Sequence, residues 1–215
     1  MINLNPENGN DLSGKITLPG TDPNGDNILG IGLMLNYLTE SGSRKATGLN
    51  ITHVFFEKDN DYKYVEDNAF KNPKSSVDNY ALHGVYLPKG IKSIGVSSFE
   101  FLLNAKVVTL PEGLETIGKS AFGSPPTGNN TIEITSFPST LKSIGEEAFY
   151  RSNGISITSI PKGIIELPYR CFYNCANVRV DTFGSAEGES LMTIGEDCFR
   201  NAGSAVTAIN RIYLH

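Results

Sequence analysis

Tryptophan is missing altogether from this 215-residue chain, and cysteine occurs only three times. Three thiols allow one disulfide at most, which excludes a disulfide-built scaffold. A basic excess is lacking too: 18 Lys and Arg stand against 23 Asp and Glu, a formal net charge of −5. A nucleic-acid or anionic-membrane surface needs the opposite balance. No apolar run approaches the roughly 18 residues that span a bilayer, so no membrane insertion is expected. Met1-Ile2-Asn3-Leu4-Asn5-Pro6 has neither a basic nor an apolar signal region, so no signal peptide is read there. Gly-x-Ser-x-Gly, His-Glu-x-x-His and paired-carboxylate signatures are absent as well, and neither an enzyme nor a cofactor is expected.

What is present is repetition. Six segments end in phenylalanine at one slot: Phe70, Phe99, Phe122, Phe149, Phe172 and Phe199. Their spacings are 29, 23, 27, 23 and 27, a 23-residue period with short insertions. An Ile or Leu anchor precedes most of these phenylalanines (Ile94, Ile117, Ile144, Leu167, Ile194). A small residue sits just before each: Ala69, Ser98, Ala121, Ala148, Cys171 and Cys198. Upstream come Leu87-Pro88, Leu110-Pro111, Phe137-Pro138 and Ile160-Pro161, each ending a β-branched stretch such as Val107-Val108-Thr109 or Ile155-Ser156-Ile157-Thr158. Such density reads as strand, and the proline stops it. Pro-x-Gly then turns the chain into a second short extended piece, and the segment reaching each Phe is short enough for a 3₁₀ or turn-like bend.

One 23-residue turn cannot bury its Ile, Leu and Phe alone, whereas stacked turns make each slot a continuous row. The expected fold is therefore a solenoid with strands ending at Leu18, Phe56, Leu87, Leu110, Phe137, Ile160, Phe183 and Leu214. At ~4.8 Å per rung, seven steps give a body on the order of 34 Å long. Residues 51–215 carry the repeats. Residues 1–50 read as a degenerate repeat or cap, with a short helix over Gly30–Ser41 in which Tyr37 replaces the Phe. Gly123–Asn130 reads as an insertion, not a boundary.

The pattern Leu-Pro-x-Gly-Leu-x-x-Ile-Gly-x-x-Ala-Phe, best seen from Leu110 to Phe122, resembles the BspA-like (Treponema-type) leucine-rich repeats. The resemblance implies a curved, right-handed leucine-rich-repeat solenoid with a parallel sheet on its concave face and short β, 3₁₀ or turn segments on the convex side. It also implies a surface-exposed or secreted adhesion module with a protein or glycan partner, and no catalysis. The family's Ala-Phe is typically followed by x-x-Cys, which only Cys175 fits here. The unread signal peptide then makes this chain a piece of a longer secreted protein. A virion or phage receptor-binding component is the alternative, and an apolar last strand would favour end-to-end self-association.

Other signals have plainer readings. Gly113-Leu-Glu-Thr-Ile-Gly118-Lys119-Ser120 spells the phosphate-loop pattern, but the same slots recur in neighbouring repeats without it, so no nucleotide is expected. Cys171 and Cys198 read as two small buried side chains of one row, and His53, His83 and His215 as surface histidines rather than metal ligands. Asp22–Asn27 and Asp59–Asp61 read as polar turns. Asn50-Ile51-Thr52 and Asn129-Asn130-Thr131 are glycosylation sequons, meaningful only in eukaryotic secretion.

For a contact surface, the position before each strand's last apolar residue should point away from the core. That column is Phe55, Tyr86, Thr109, Ser136, Ser159, Thr182 and Tyr213. Val107, Ile134, Ile157 and Val180 should share its face, which leaves two readings: an exposed apolar stripe, or a bulge that turns them inward.

Overall fold

The computed structural model describes residues 14–21, 24, 26, 30–31, 51–57, 62–72, 82–126, 128, 130–183 and 193–203. Within them the chain winds as stacked parallel rungs. The upstream strands β1 (Gly14–Leu18), β3 (Ile51–Phe56), β5 (Gly84–Val85) and β7 (Val107–Val108) form one parallel sheet in the order β1-β3-β5-β7. The short pieces after the Pro-x-Gly turns form a second. Here β2 (Gly30–Ile31), β4 (Tyr64–Val65), β6 (Ser93–Ile94), β8 (Thr116–Ile117) and β9 (Ser143–Ile144) pair in sequence. Further along, β10 (Ser159–Ile160) pairs with β12 (Thr182–Phe183), and β11 (Glu166–Leu167) with β13 (Thr193–Ile194).

One expectation is corrected here. Gly30–Ile31 does not open a helix; it is a strand paired with Tyr64–Val65, in the slot that Ser93–Ile94 fills two turns later. The rest of the expected helix, Tyr37 included, and the last expected strand, Ile209–Leu214, lie outside the described residues.

The core is a set of rows. Phe70, Phe99, Phe122, Phe149, Phe172 and Phe199 stack in one column, with successive ring centroids 5.1, 5.1, 5.3, 5.5 and 5.3 Å apart and planes within 15° of parallel. The first five are buried and Phe199 is partly covered. The small row beside them, from Ala69 to Cys198, is buried throughout. Glycine has a defined job next to it. A Cβ on Gly118 would lie 2.7 Å from the Gly95 carbonyl carbon, and one on Gly145 would lie 2.4 Å from the Lys119 nitrogen. Without side chains there, consecutive turns close to rung spacing.

The bends are ordered by their own hydrogen bonds. Asn68, Ser97, Ser120, Glu147, Arg170 and Asp197, each two before its Phe, all have φ between 51° and 60°. A left-handed backbone at a non-glycine residue costs roughly 1–2 kcal/mol. It aims amides at the next turn: Phe99 N–H donates to Ala121 O at 2.7 Å, Phe122 to Ala148 O at 2.8 Å and Phe149 to Cys171 O at 3.0 Å. In the second sheet the direction reverses, and later turns donate to earlier ones, as Gly118 does to Ile94 O and Gly145 to Ile117 O, both at 2.8 Å.

The long-strand sheet is interrupted, and burial shows why. In the early rungs the inward residues are Leu82, Val85 and Leu87, or Ala105, Val108 and Leu110, so steps of three then two. In the later rungs they are Ile132, Ile134 and Phe137, or Ile155, Ile157 and Ile160, so steps of two then three. The pleat shifts by one residue between the two halves; the Glu133 N–H donates to Lys106 O at 2.8 Å across the shift, and the next two rungs are joined by the isolated bridges Asn130–Ser152 and Ile134–Ile155. The inward reading therefore holds for Ile134, Ile157 and Val180, while Val107 stays half-buried. The insertion before this rung is pinned by Asn130, which is fully buried. Its Nδ2 donates to Phe122 O at 3.1 Å and its Oδ1 accepts from Ile132 N–H at 2.9 Å.

Truncating one ring in the middle of the column should cost stability in full. Phe149→Ala is expected to lower unfolding free energy by roughly 3–5 kcal/mol, read from denaturant melts. An unchanged midpoint would mean that the column does not hold the turns together.

Candidate binding face

The outward column of the long-strand sheet begins with rings. Phe55 and Tyr86 lie on adjacent strands, both half-buried, with centroids 4.6 Å apart and planes 3° from parallel. His53 joins them, 6.4 Å from Phe55 and 6.1 Å from Tyr86, and the His83 ring lies 6.3 Å beyond. His53 Nδ1 is 2.9 Å from Thr52 Oγ1. Gly84, opposite His53 in register, makes room: a Cβ there would sit 3.0 Å from His53 Cδ2 and 3.1 Å from Tyr86 Cε2. The rings close over a glycine, as aromatics do over bare backbone in sheets.

Beyond the rings the column becomes hydroxylic. Thr109 is half-buried, its Oγ1 directed at Leu87 O at 3.4 Å, while Ser136 and Ser159 are exposed. Thr182 pairs with Ser159 in β12, and Tyr213 lies outside the described residues. Because the pleat shifts, two adjacent positions face outward in the later rungs, Thr135 with Ser136 and Thr158 with Ser159. The structure thus joins Phe55 to Tyr86 as one unit and separates them from Ser136 by the sheet interruption. Sequence reasoning missed His53 as a member. Two residues before Phe55 on a regular strand, it shares that face by simple alternation.

The phosphate-loop look-alike is built into the ladders. Gly118, Ser120 and Ala121 amides donate to Ile94 O, Glu146 O and Gly118 O, so these donors are committed. Lys119 is exposed and pairs with Glu146 at 2.6 Å, a hydrogen bond that raises its pKa above the usual lysine value. Titrating the chain with magnesium and ATP should give no saturable heat; micromolar binding lost in Lys119→Ala would contradict this geometry.

The cysteines are structural. All three are free and buried. Cys175 Sγ donates to Phe149 O at 2.8 Å, and Ser152, in the same slot one turn earlier, donates to Phe122 O at 2.5 Å. In these two turns the side chain three after the Phe satisfies the previous turn's Phe carbonyl. Burial pushes Cys175 up to about 12 and Cys171 well above the ordinary thiol range, with neighbouring Cys198 adding to the latter. At about pH 8, where an ordinary thiol is partly ionised, an aromatic disulfide reagent should find no reactive thiol in the native chain and three after unfolding. Fast native labelling would contradict the burial. Among the described residues no group of three or more His, Cys, Asp or Glu is arranged to hold a metal ion. No described helix is long and apolar enough to cross a membrane. Of the polar turns Asp22–Asn27 and Asp59–Asp61, all but Asn24 and Asp26 lie outside the described residues.

Comparison with known families matches the chain to the BspA type leucine rich repeat region in six copies, over residues 34–124 and 63–206. The chain belongs to this family. No curated protein matches it. Among solved structures it is similar to a leucine rich repeat protein of T. pallidum, with a TM-score of 0.64 at 17% identity, over 92% of this chain and 81% of that one. It is also similar to the pneumococcal vaccine antigen PcpA, with a TM-score of 0.52 at 17% identity, over 91% of this chain and 60% of that one. At such identities the likeness is one of fold, and it agrees with the parallel solenoid described above.

Proposed function

We propose that this chain is a non-catalytic binding module, secreted or displayed at a cell surface, that holds a protein or glycan partner on the outward face of its long-strand sheet. The observation that supports the reading is the Phe55–Tyr86 pair. Five of the six column phenylalanines are buried, whereas the Phe55 and Tyr86 rings stack 4.6 Å apart on a sheet face and stay only half-buried. Exposed, rigid aromatics are the residues most often energetic in recognition. Phe55 lies on β3 and Tyr86 directly after β5, its N–H donating to Val54 O at 2.9 Å; both strands are paired on both sides, so the platform is fixed before any partner arrives. Adhesion fits a family whose turns supply surface rather than cavities. Membership in the BspA type repeat family supports the binding role in general terms.

The test uses a captured partner and the full chain. Tyr86→Ala should weaken retention at least tenfold while the melting temperature stays within about 2 °C of the parent, since a half-exposed surface ring carries little of the folding energy. Retention unaffected by Tyr86→Ala, with the contact mapping to the Gly123–Asn130 insertion, would remove the sheet face from consideration.

A further inference from the structure

We infer that the His53–Phe55–Tyr86–His83 cluster is a subsite for one pyranose ring of a neutral glycan; this deepens the binding-face reading and rests on it. The stacked pair is only two rings thick. In register, the neighbour of Phe55 on the β1 side is Thr17, and the next column position after Tyr86 is Thr109. Each outer side of the pair therefore adjoins a side chain much smaller than a ring, the exposed Thr17 and the half-buried Thr109, one rung away. An aromatic face carries negative quadrupole density, which attracts the C–H face of a sugar lying parallel to it.

The polar groups around the rings match the same ligand. Sugar hydroxyls both donate and accept, and so do imidazoles and the hydroxyls of Thr and Ser. His53 uses Nδ1 toward Thr52 Oγ1, which leaves Nε2 as its second polar atom, and the exposed His83 adds another imidazole. Beyond Tyr86 the exposed Thr135, Ser136, Thr158 and Ser159 would accommodate further residues of the same chain.

Charge selects the class. The column Phe55, Tyr86, Thr109, Ser136, Ser159 contains no charged side chain, and the exposed Lys15 lies in register with the cluster, opposite His53 on the β1 side. An acidic glycan or a charged peptide would lose hydration along the column and meet the Lys15 cation only at its β1 end. A peptide strand is disfavoured for a second reason: β3 and β5 already pair on both sides, so no backbone edge is offered at the rings.

The experiment is an array of neutral glycans probed with the full chain, followed by calorimetry and tyrosine-fluorescence titration with the neutral hexasaccharides that score. Binding is expected to perturb tyrosine emission. Tyr86→Ala and Phe55→Ala should weaken it at least tenfold, while Tyr86→Phe, which keeps the ring, stays within about threefold. Thr109→Phe offers a variant that removes nothing. It should place a third ring on the open face of Tyr86 and abolish binding in a chain that melts like the parent. Tyr173→Ala, on the bend side, should leave affinity unchanged. If no neutral glycan binds while a protein partner is held through Tyr86, the glycan inference is overturned and the binding-face reading stands. If a glycan binds equally well to the parent, Tyr86→Ala and Thr109→Phe, both are overturned.

Discussion

Everything in this chain depends on neighbouring turns lying one rung apart and in register. The phenylalanine column sets that condition and is satisfied by it. Rings about 5 Å apart and nearly parallel are possible only if each turn repeats the backbone of the one before. The backbone repeats because each bend takes the same left-handed residue two before the Phe, against a local cost of roughly 1–2 kcal/mol. Each such turn gains inter-turn hydrogen bonds worth about 0.5–1.5 kcal/mol apiece, together with a buried ring. Neither gain is available to a turn on its own, so the stability is a nearest-neighbour property.

Much of this was legible in the residues. The Phe, Ile/Leu and small-residue slots recur at fixed offsets, and stacking follows from the need to bury them. Less legible was the backbone that serves those slots. Asn68 and Asp197 are natural left-handed residues, whereas Ser120, Glu147 and Arg170 occupy the same conformation without any propensity for it; the neighbouring turns impose it. The pleat shift was visible only as a conflict, since Val107 and Ile134 occupy like positions in the repeat and yet differ in burial. Local pattern could not decide between them because a bulge changes which residues face inward without changing composition. Gly30–Ile31 was misread for a related reason. Two residues beside an apolar run look helical in isolation, and only the pairing with Tyr64–Val65 makes them a strand.

The candidate face shows the same division. Alternation from the last apolar residue found Phe55 and Tyr86, and it held because the last inward step of the early rungs is two residues, as from Val85 to Leu87. It did not find His53 as their neighbour or Gly84 as the position that lets the rings close, since both depend on contacts across strands. Past the pleat shift the rule loses its footing: Thr135 and Thr158 turn outward beside Ser136 and Ser159.

The phosphate-loop look-alike shows why function in such a chain must be argued from what the backbone has left over. A loop that cradles an anion needs amides with nothing else to bind. Here the amides of Gly118 and Ser120 are used by the stacking of turns, and that of Ala121 by the bend itself. The same holds along the solenoid, where slots that repeat are consumed by neighbouring turns. Recognition must therefore come from positions where the repeat is broken. The Phe55–Tyr86 pair is such a position, because two aromatic side chains stand on a surface column that elsewhere carries threonine and serine. The repeat has no use for rings there, and their near-parallel stack is held by the sheet rather than needed by it.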